Sequence, residues 1–109
     1  MTETDSLLQF EQLISNHDFV LAYFSHDSCN VCHVLLPKIK ELIQNDFPNI
    51  KLIHCNTERA AKVAAQNSIF TVPSILIFIN GKESYRFSRN ISLSEFSQTI
   101  ARPYHLIFD

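Results

Sequence analysis

Between Phe19 and Ile43 the hydrophobic period changes once, and no other stretch constrains the fold as much. Phe19-Val-Leu-Ala-Tyr-Phe24 is continuously apolar and β-prone, as in a strand buried on both faces. Ser25-His-Asp-Ser28 makes a short polar turn. From Val31 onward the apolar residues Val34, Leu35, Ile39, Leu42 and Ile43 recur at helical spacing, with Lys38, Lys40, Glu41 and Gln44 on the other face. Strand, turn and helix in this order place Cys29 at a helix N-terminus and Cys32 one turn further in.

That placement carries chemistry. The first N–H groups of a helix have no internal partner, and the helix dipole favours negative charge there. A thiolate at Cys29 gains from both, and the thiolate is the nucleophile of disulfide exchange. Cys29 is therefore expected to be acidic and to attack, and Cys32, less exposed, to resolve the mixed disulfide. Asp27, two residues before Cys29, opposes this by raising the thiol pKa. His26 and His33 act the other way when protonated, and His33 is also a candidate proton carrier beside the pair.

The chain has 109 residues, 46% of them hydrophobic, and a formal charge of −2, which fits one domain, residues 1–109, with a core of its own. Its Lys and Arg residues are scattered, with no run that would track phosphates, so no nucleic-acid partner is expected. No membrane partner is expected either. Met1-Thr-Glu-Thr-Asp-Ser6 lacks the pattern of a signal peptide, which favours a cytoplasmic location. Three cysteines are too few for a disulfide scaffold, and in a reducing compartment the close pair reads as reactive.

Two other uses of the pair can be weighed. Cys29-x-x-Cys32-His33 also matches covalent haem attachment, but there is no export signal and Met1 is the only methionine. Cys29, Cys32 and His33, with His26, are zinc-competent, yet one tight segment rarely completes a tetrahedral site, and Cys55 belongs to another strand. No metal and no organic cofactor are expected. Cys55 reads as a small core residue, and His54 as a surface or edge position.

Further elements follow from local signals. Thr4 to Ser15 reads as an opening helix, capped by Asp5 or Thr4, with Leu7, Phe10, Leu13 and Ile14 inward. Pro37 is expected to kink the second helix, which Asn45-Asp-Phe-Pro48 closes. Ile50 to Cys55 is a strand, and Glu58 to Gln66 a helix capped by Thr57. Ser74 to Ile79 is a strand, Asn80-Gly81 a hairpin turn, and the stretch around Tyr85 and Phe87 its partner strand. Ser92-Leu-Ser-Glu95 is a capping box for a last helix that Pro103 is expected to stop. The apolar tail Tyr104 to Asp109 is expected to dock on its own domain or, less simply, to meet a partner. Crossover connections and the hairpin together predict an α/β fold, a central mixed sheet flanked by helices.

Four features in this order resemble the thioredoxin family over nearly the full length: the Cys29-x-x-Cys32 pair after a buried strand, Pro37, Thr71-Val72-Pro73 before a strand, and the Asn80-Gly81 hairpin. The resemblance implies a thioredoxin-like fold in which Pro73 is cis and lies against the dithiol, while Val72 offers its backbone to an extended substrate segment. It implies thiol–disulfide oxidoreduction, with protein disulfides as substrates and a thioredoxin-reductase-type or other thiol reductant regenerating the pair. The chain departs from the family at several places. Ser28 replaces the tryptophan before the first cysteine, and Asn30-Val31 replaces Gly-Pro. Tyr23 stands where a buried aspartate assists proton transfer, and the glycine after the last strand is replaced around Ser88 or Arg89. These departures define an alternative, a thioredoxin-fold binding or adaptor module with a weak or vestigial dithiol.

Overall fold

A strand with six consecutive apolar residues, Phe19 to Phe24, is accommodated between two apolar layers, and the computed structural model, which describes residues 1–109, provides them. In chain order the elements are β1 (Thr2–Glu3), α1 (Leu7–Asn16), β2 (Phe19–Ser25), α2 (Asn30–Asp46), β3 (Lys51–Asn56), α3 (Ala61–Gln66), β4 (Ser74–Ile79), β5 (Lys82–Ser88) and α4 (Leu93–Phe108). One five-stranded sheet runs β1-β3-β2-β4-β5. The β1/β3 and β3/β2 pairs are parallel, and β2/β4 and β4/β5 are antiparallel. The expected mixed sheet is thus present, with β2 at its centre and every β2 residue buried.

Because side chains alternate across a strand, β2 feeds two cores. Phe19, Leu21 and Tyr23 join Ile75 and Ile77 of β4, Ile39 and Ile43 of α2, and Phe96, Ile100 and Tyr104 of α4. Val20, Ala22 and Phe24 face the other way, onto Phe10 and Ile14 of α1, Val63 of α3, and Ile53 and Cys55 of β3. The helices therefore divide by face, α2 and α4 on one side and α1 and α3 on the other.

The turns show why the chain reverses where it does. Asn80 and Gly81 both have positive φ, 52° and 82°, as the two-residue hairpin between β4 and β5 requires. Ser6, not Thr4 or Asp5, caps α1, its hydroxyl accepting from the Gln9 N–H at 3.2 Å. Thr4 is unavailable because the chain ahead of it pairs with β3 and its own hydroxyl donates to Gln9 Oε1 at 2.6 Å. The helix expected from Glu58 begins only at Ala61. Asn56, rather than Thr57, accepts from the Glu58 and Arg59 N–H groups, and this turn occupies the first residues.

Pro103 does not end the last helix, which runs on to Phe108. Tertiary contact overrides the lost backbone donor. The Tyr104 ring lies edge-on to Phe47 at 5.0 Å and to Phe19 at 6.0 Å, and its hydroxyl accepts from the Asn49 N–H at 3.1 Å. The apolar tail thus docks on its own domain through Tyr104 and Phe108. No helix is long and apolar enough to cross a membrane.

Two expectations for stability follow. Tyr104→Ala removes both the ring and the hydroxyl that hold the end of α4, and should cost about 3–5 kcal/mol, seen as a lower urea midpoint with an unchanged slope. Burial, aided by the charge of Glu3, pushes the Cys55 thiol up to about 12, and burial raises the Tyr23 phenol to about 12. Both groups are neutral in the folded protein where the unfolded chain ionises. Their contribution is intact below pH 9.0, the unfolded thiol value, and is lost as pH rises toward 12. Urea midpoints measured upward from neutral pH should fall above pH 9.0, by up to about 1.4 kcal/mol per unit for Cys55. Cys55→Val should delay that fall to pH 10.0, where free tyrosine begins to ionise.

Candidate active site

β2 ends at Ser25, and the chain turns through His26, Asp27 and Ser28 into α2. The turn closes with the Cys29 N–H donating to the His26 carbonyl at 3.2 Å. Cys29 is the N-cap of α2, with extended backbone, φ −90° and ψ 99°. Its sulfur takes the role a serine oxygen has at other caps, and Sγ accepts from the Cys32 N–H at 3.1 Å. The sulfur that sequence places at the helix terminus thus sits on one of the orphan donors.

The two sulfurs are joined as the Cys29–Cys32 disulfide, with Cα atoms 5.3 Å apart. The partners differ in access. Cys29 is half-buried, whereas Cys32 is 1% exposed and part of the core between the sheet and α2. No three His, Cys, Asp or Glu side chains converge at metal-ligand distance.

Around the pair, charges are more fully matched than sequence suggests. Asp27 spends one carboxylate oxygen on Asn56 Nδ2 at 3.0 Å and the other on Arg59 at 3.3 Å. Its opposition to a Cys29 thiolate is offset by a guanidinium. His33 is exposed, and its Nε2 lies 2.7 Å from the Asp27 carbonyl oxygen, which clamps the turn to the first turn of α2. His26 pairs through Nδ1 with the Ser28 hydroxyl at 3.1 Å.

Beneath the pair lies Tyr23. Its hydroxyl donates to the Cys32 carbonyl at 2.9 Å. Pro37 has no N–H for the His33 carbonyl, so this stretch of α2 is where the helical ladder is interrupted, and Tyr23 holds the carbonyl next to the break. The Tyr23 ring lies 5.9 Å from His54. His54 is not a surface position, since its side chain is 15% exposed. Its Nε2 pairs with Ser25 Oγ at 2.6 Å and its Nδ1 with Glu3 Oε2 at 2.7 Å, so the imidazole ties β1 to the end of β2. Cys55 is fully buried on the opposite face of the sheet, free and remote from the disulfide's core.

The second wall is the loop before β4. The Val72–Pro73 peptide is cis. Pro73 is buried, and Val72 and Cys29 pack against the same cluster that encloses Cys32. The loop is held by Ser74 Oγ donating to the Thr71 carbonyl at 2.6 Å and by the Arg89 N–H donating to the Pro73 carbonyl at 3.2 Å. Arg89 has φ 62°, the left-handed backbone for which a glycine would be the unstrained choice. Sequence reasoning thus locates Cys29, Cys32, His33, Val72 and Pro73 around one end of the sheet. It misses Arg59 and Asn56 as partners of Asp27, and Glu3 and Ser25 as partners of His54, because those contacts join residues far apart in sequence.

Comparison with known proteins agrees with this geometry. The chain is 41% identical over 106 residues to the thioredoxin-like protein YdfQ of Bacillus subtilis, covering 97% of this chain and 94% of that one. Among solved structures, thioredoxin 1 of Thermosipho africanus superposes with a TM-score of 0.74 at 33% identity, covering 83% of this chain and 99% of that one. Oxidised mitochondrial thioredoxin 3 of Saccharomyces cerevisiae superposes with a TM-score of 0.84 at 19% identity, covering 94% of each chain. Residues 2–102 match the family model described as thioredoxin, and with the Cys29–Cys32 disulfide at one end of its mixed sheet the chain belongs to the thioredoxin family of thiol–disulfide oxidoreductases.

Proposed function

We propose that the protein reduces protein disulfides through Cys29 and Cys32 in a reducing cytoplasm. The observation that carries this reading is the asymmetry of the pair: a half-buried Cys29 whose sulfur accepts a helix-terminal N–H, beside a Cys32 that is 1% exposed. In the reduced protein the Cys29 thiolate attacks one sulfur of a substrate disulfide. A Cys29–substrate bond forms, the substrate S–S bond breaks, and one substrate thiolate leaves. The Cys32 thiolate then attacks Cys29 Sγ, closing the internal disulfide and releasing the second substrate thiolate. The substrate gains two electrons and two protons, and the protein loses them. An external dithiol reductant, of the reductase or small-thiol class, restores the pair.

Val72 and Pro73 are assigned to hold the substrate backbone beside the disulfide, a role supported by the packing of Val72 on the cluster shared with Cys29 and Cys32 and by the burial of Pro73 next to it. His33, exposed on the first turn of α2, is assigned to exchange protons with solvent at the pair. The odd, buried Cys55 has no partner, which fits a compartment where thiols stay reduced.

The test is reduction of insulin by dithiothreitol with catalytic protein. Cys29→Ser should lower turnover to the uncatalysed rate, and Cys32→Ser should accumulate a mixed disulfide visible by mass spectrometry. Wild-type protein at the uncatalysed rate would instead establish the binding or adaptor module, whose dithiol does not turn over. A redox titration fixes the direction. A midpoint near about −270 mV marks a reductant, and one near about −120 mV an oxidant.

A further inference from the structure

A cleft of about 680 Å³ opens between the first turns of α2, where Asn30 and Val31 separate the two cysteines, and the segment joining β5 to α4. Val31, which lies between the two cysteines, and Val34 form one wall, and each is 61% exposed. Ile91 and Leu93 form the other. Arg89, which lines the cleft, donates its N–H to the Pro73 carbonyl and so ties this wall to the loop before β4. Its only charged lining residues are Lys38 and Arg89. Neither forms an ion pair, and no acidic residue lines the cleft. The protein as a whole carries a formal charge of −2, so the basic rim is a local feature that runs against the overall charge.

We propose that this cleft selects the substrate: disulfides whose reacting cysteine is followed or preceded, along an extended segment, by an apolar side chain that enters between Val31, Val34 and Ile91 and by an aspartate or glutamate that meets Lys38 and Arg89. The inference rests on the oxidoreductase reading above and names its substrate class. Charge complementarity decides the occupant. An apolar slot alone would accept any hydrophobic segment, whereas two unpartnered cations among its lining residues favour a segment with a carboxylate and disfavour one with a lysine. Spacing sets where the carboxylate falls. Lys38 lies about two helical turns, roughly 10 Å, beyond Val31, and an extended chain advances about 3.3 Å per residue. The acidic side chain therefore belongs about three residues from the reacting cysteine.

The experiment uses the reduced full-length protein and three short peptides that differ only in carrying Glu, Gln or Lys three residues from a cysteine, each joined by a disulfide to the same small neutral thiol. Second-order reduction rates are read by acid quench and alkylation. The Glu peptide should react fastest and the Lys peptide slowest, by about tenfold between them at low salt, with the ratio shrinking toward one in molar salt. Lys38→Gln and Arg89→Asn should each reduce the Glu-to-Lys ratio, and the double variant should bring it to within about twofold. Asn is chosen because it tolerates the left-handed backbone at position 89. Lys38→Glu should invert the order. Reduction of all three peptides at one rate by the unaltered protein, or a ratio unchanged in the double variant, overturns this proposal while leaving the oxidoreductase reading intact. Failure to reduce any of the three would overturn that reading itself.

Discussion

Enclosure of β2 on both faces is the constraint from which the rest of the molecule follows. Phe19, Leu21 and Tyr23 on one side and Val20, Ala22 and Phe24 on the other belong to separate cores, so the strand cannot slip by one residue without exchanging the two sets. Its end is thereby fixed, and with it the point at which the chain turns into α2. The first turn of α2 is held by Cys32, Ile39 and Ile43 in the same cluster as β2. The position of Cys29 is thus a consequence of core packing several residues away, and this is how a half-buried cysteine can be placed by groups that never touch solvent.

The same packing supplies the difference between the two sulfurs. A helix N-terminus offers donors to an anion wherever it occurs, but here only the capping cysteine is within reach of solvent, and the cysteine one turn later points into the core. Backbone N–H groups and burial, both fixed by the fold, distinguish the two sulfurs without any dedicated charged residue. The nearby charges largely cancel: Asp27 is spent on Arg59 and Asn56, and Glu3 on His54. Lys38 and Arg89 take no part in this local balance and line the cleft.

How far the sequence was legible depends on the range of the interactions involved. The period change after Phe24, the Asn80-Gly81 turn and the Ser92 cap are local patterns, and each appears in the structure where the pattern puts it. The two-residue β1 has no periodicity to read, and its existence depends on β3 accepting a neighbour. Pro103 is a strong local stop signal that lost to a non-local one, the docking of Tyr104 against Phe19 and Phe47. His54 follows the same rule. Its neighbours in sequence say a surface or edge position, but its partners Glu3 and Ser25 come from two other strands. At the site, the cysteines were legible because their spacing and the helix start are local, whereas the Asp27–Arg59 pair was not, because the two residues are 32 positions apart.

Tyr23 bears most directly on how exchange is completed. Resolution requires Cys32 to lose a proton, and a side chain serves as its base only if it is itself unprotonated near neutral pH. Burial holds the Tyr23 phenol up at about 12, and its hydroxyl is committed as a donor to the Cys32 carbonyl. Tyr23 is therefore a structural donor that secures the helix beside Pro37, and it is not the base. Cys32 is buried in an apolar cluster, so in the proposed mechanism its proton passes toward Cys29 and the solvent beside it. There the departing substrate thiolate, with an ordinary pKa of about 8.5, is generated in the step just before the proton must move. A site without a buried carboxylate can in this way couple proton transfer to sulfur attack, the first substrate thiolate that leaves taking up the Cys32 proton and the second taking one from solvent.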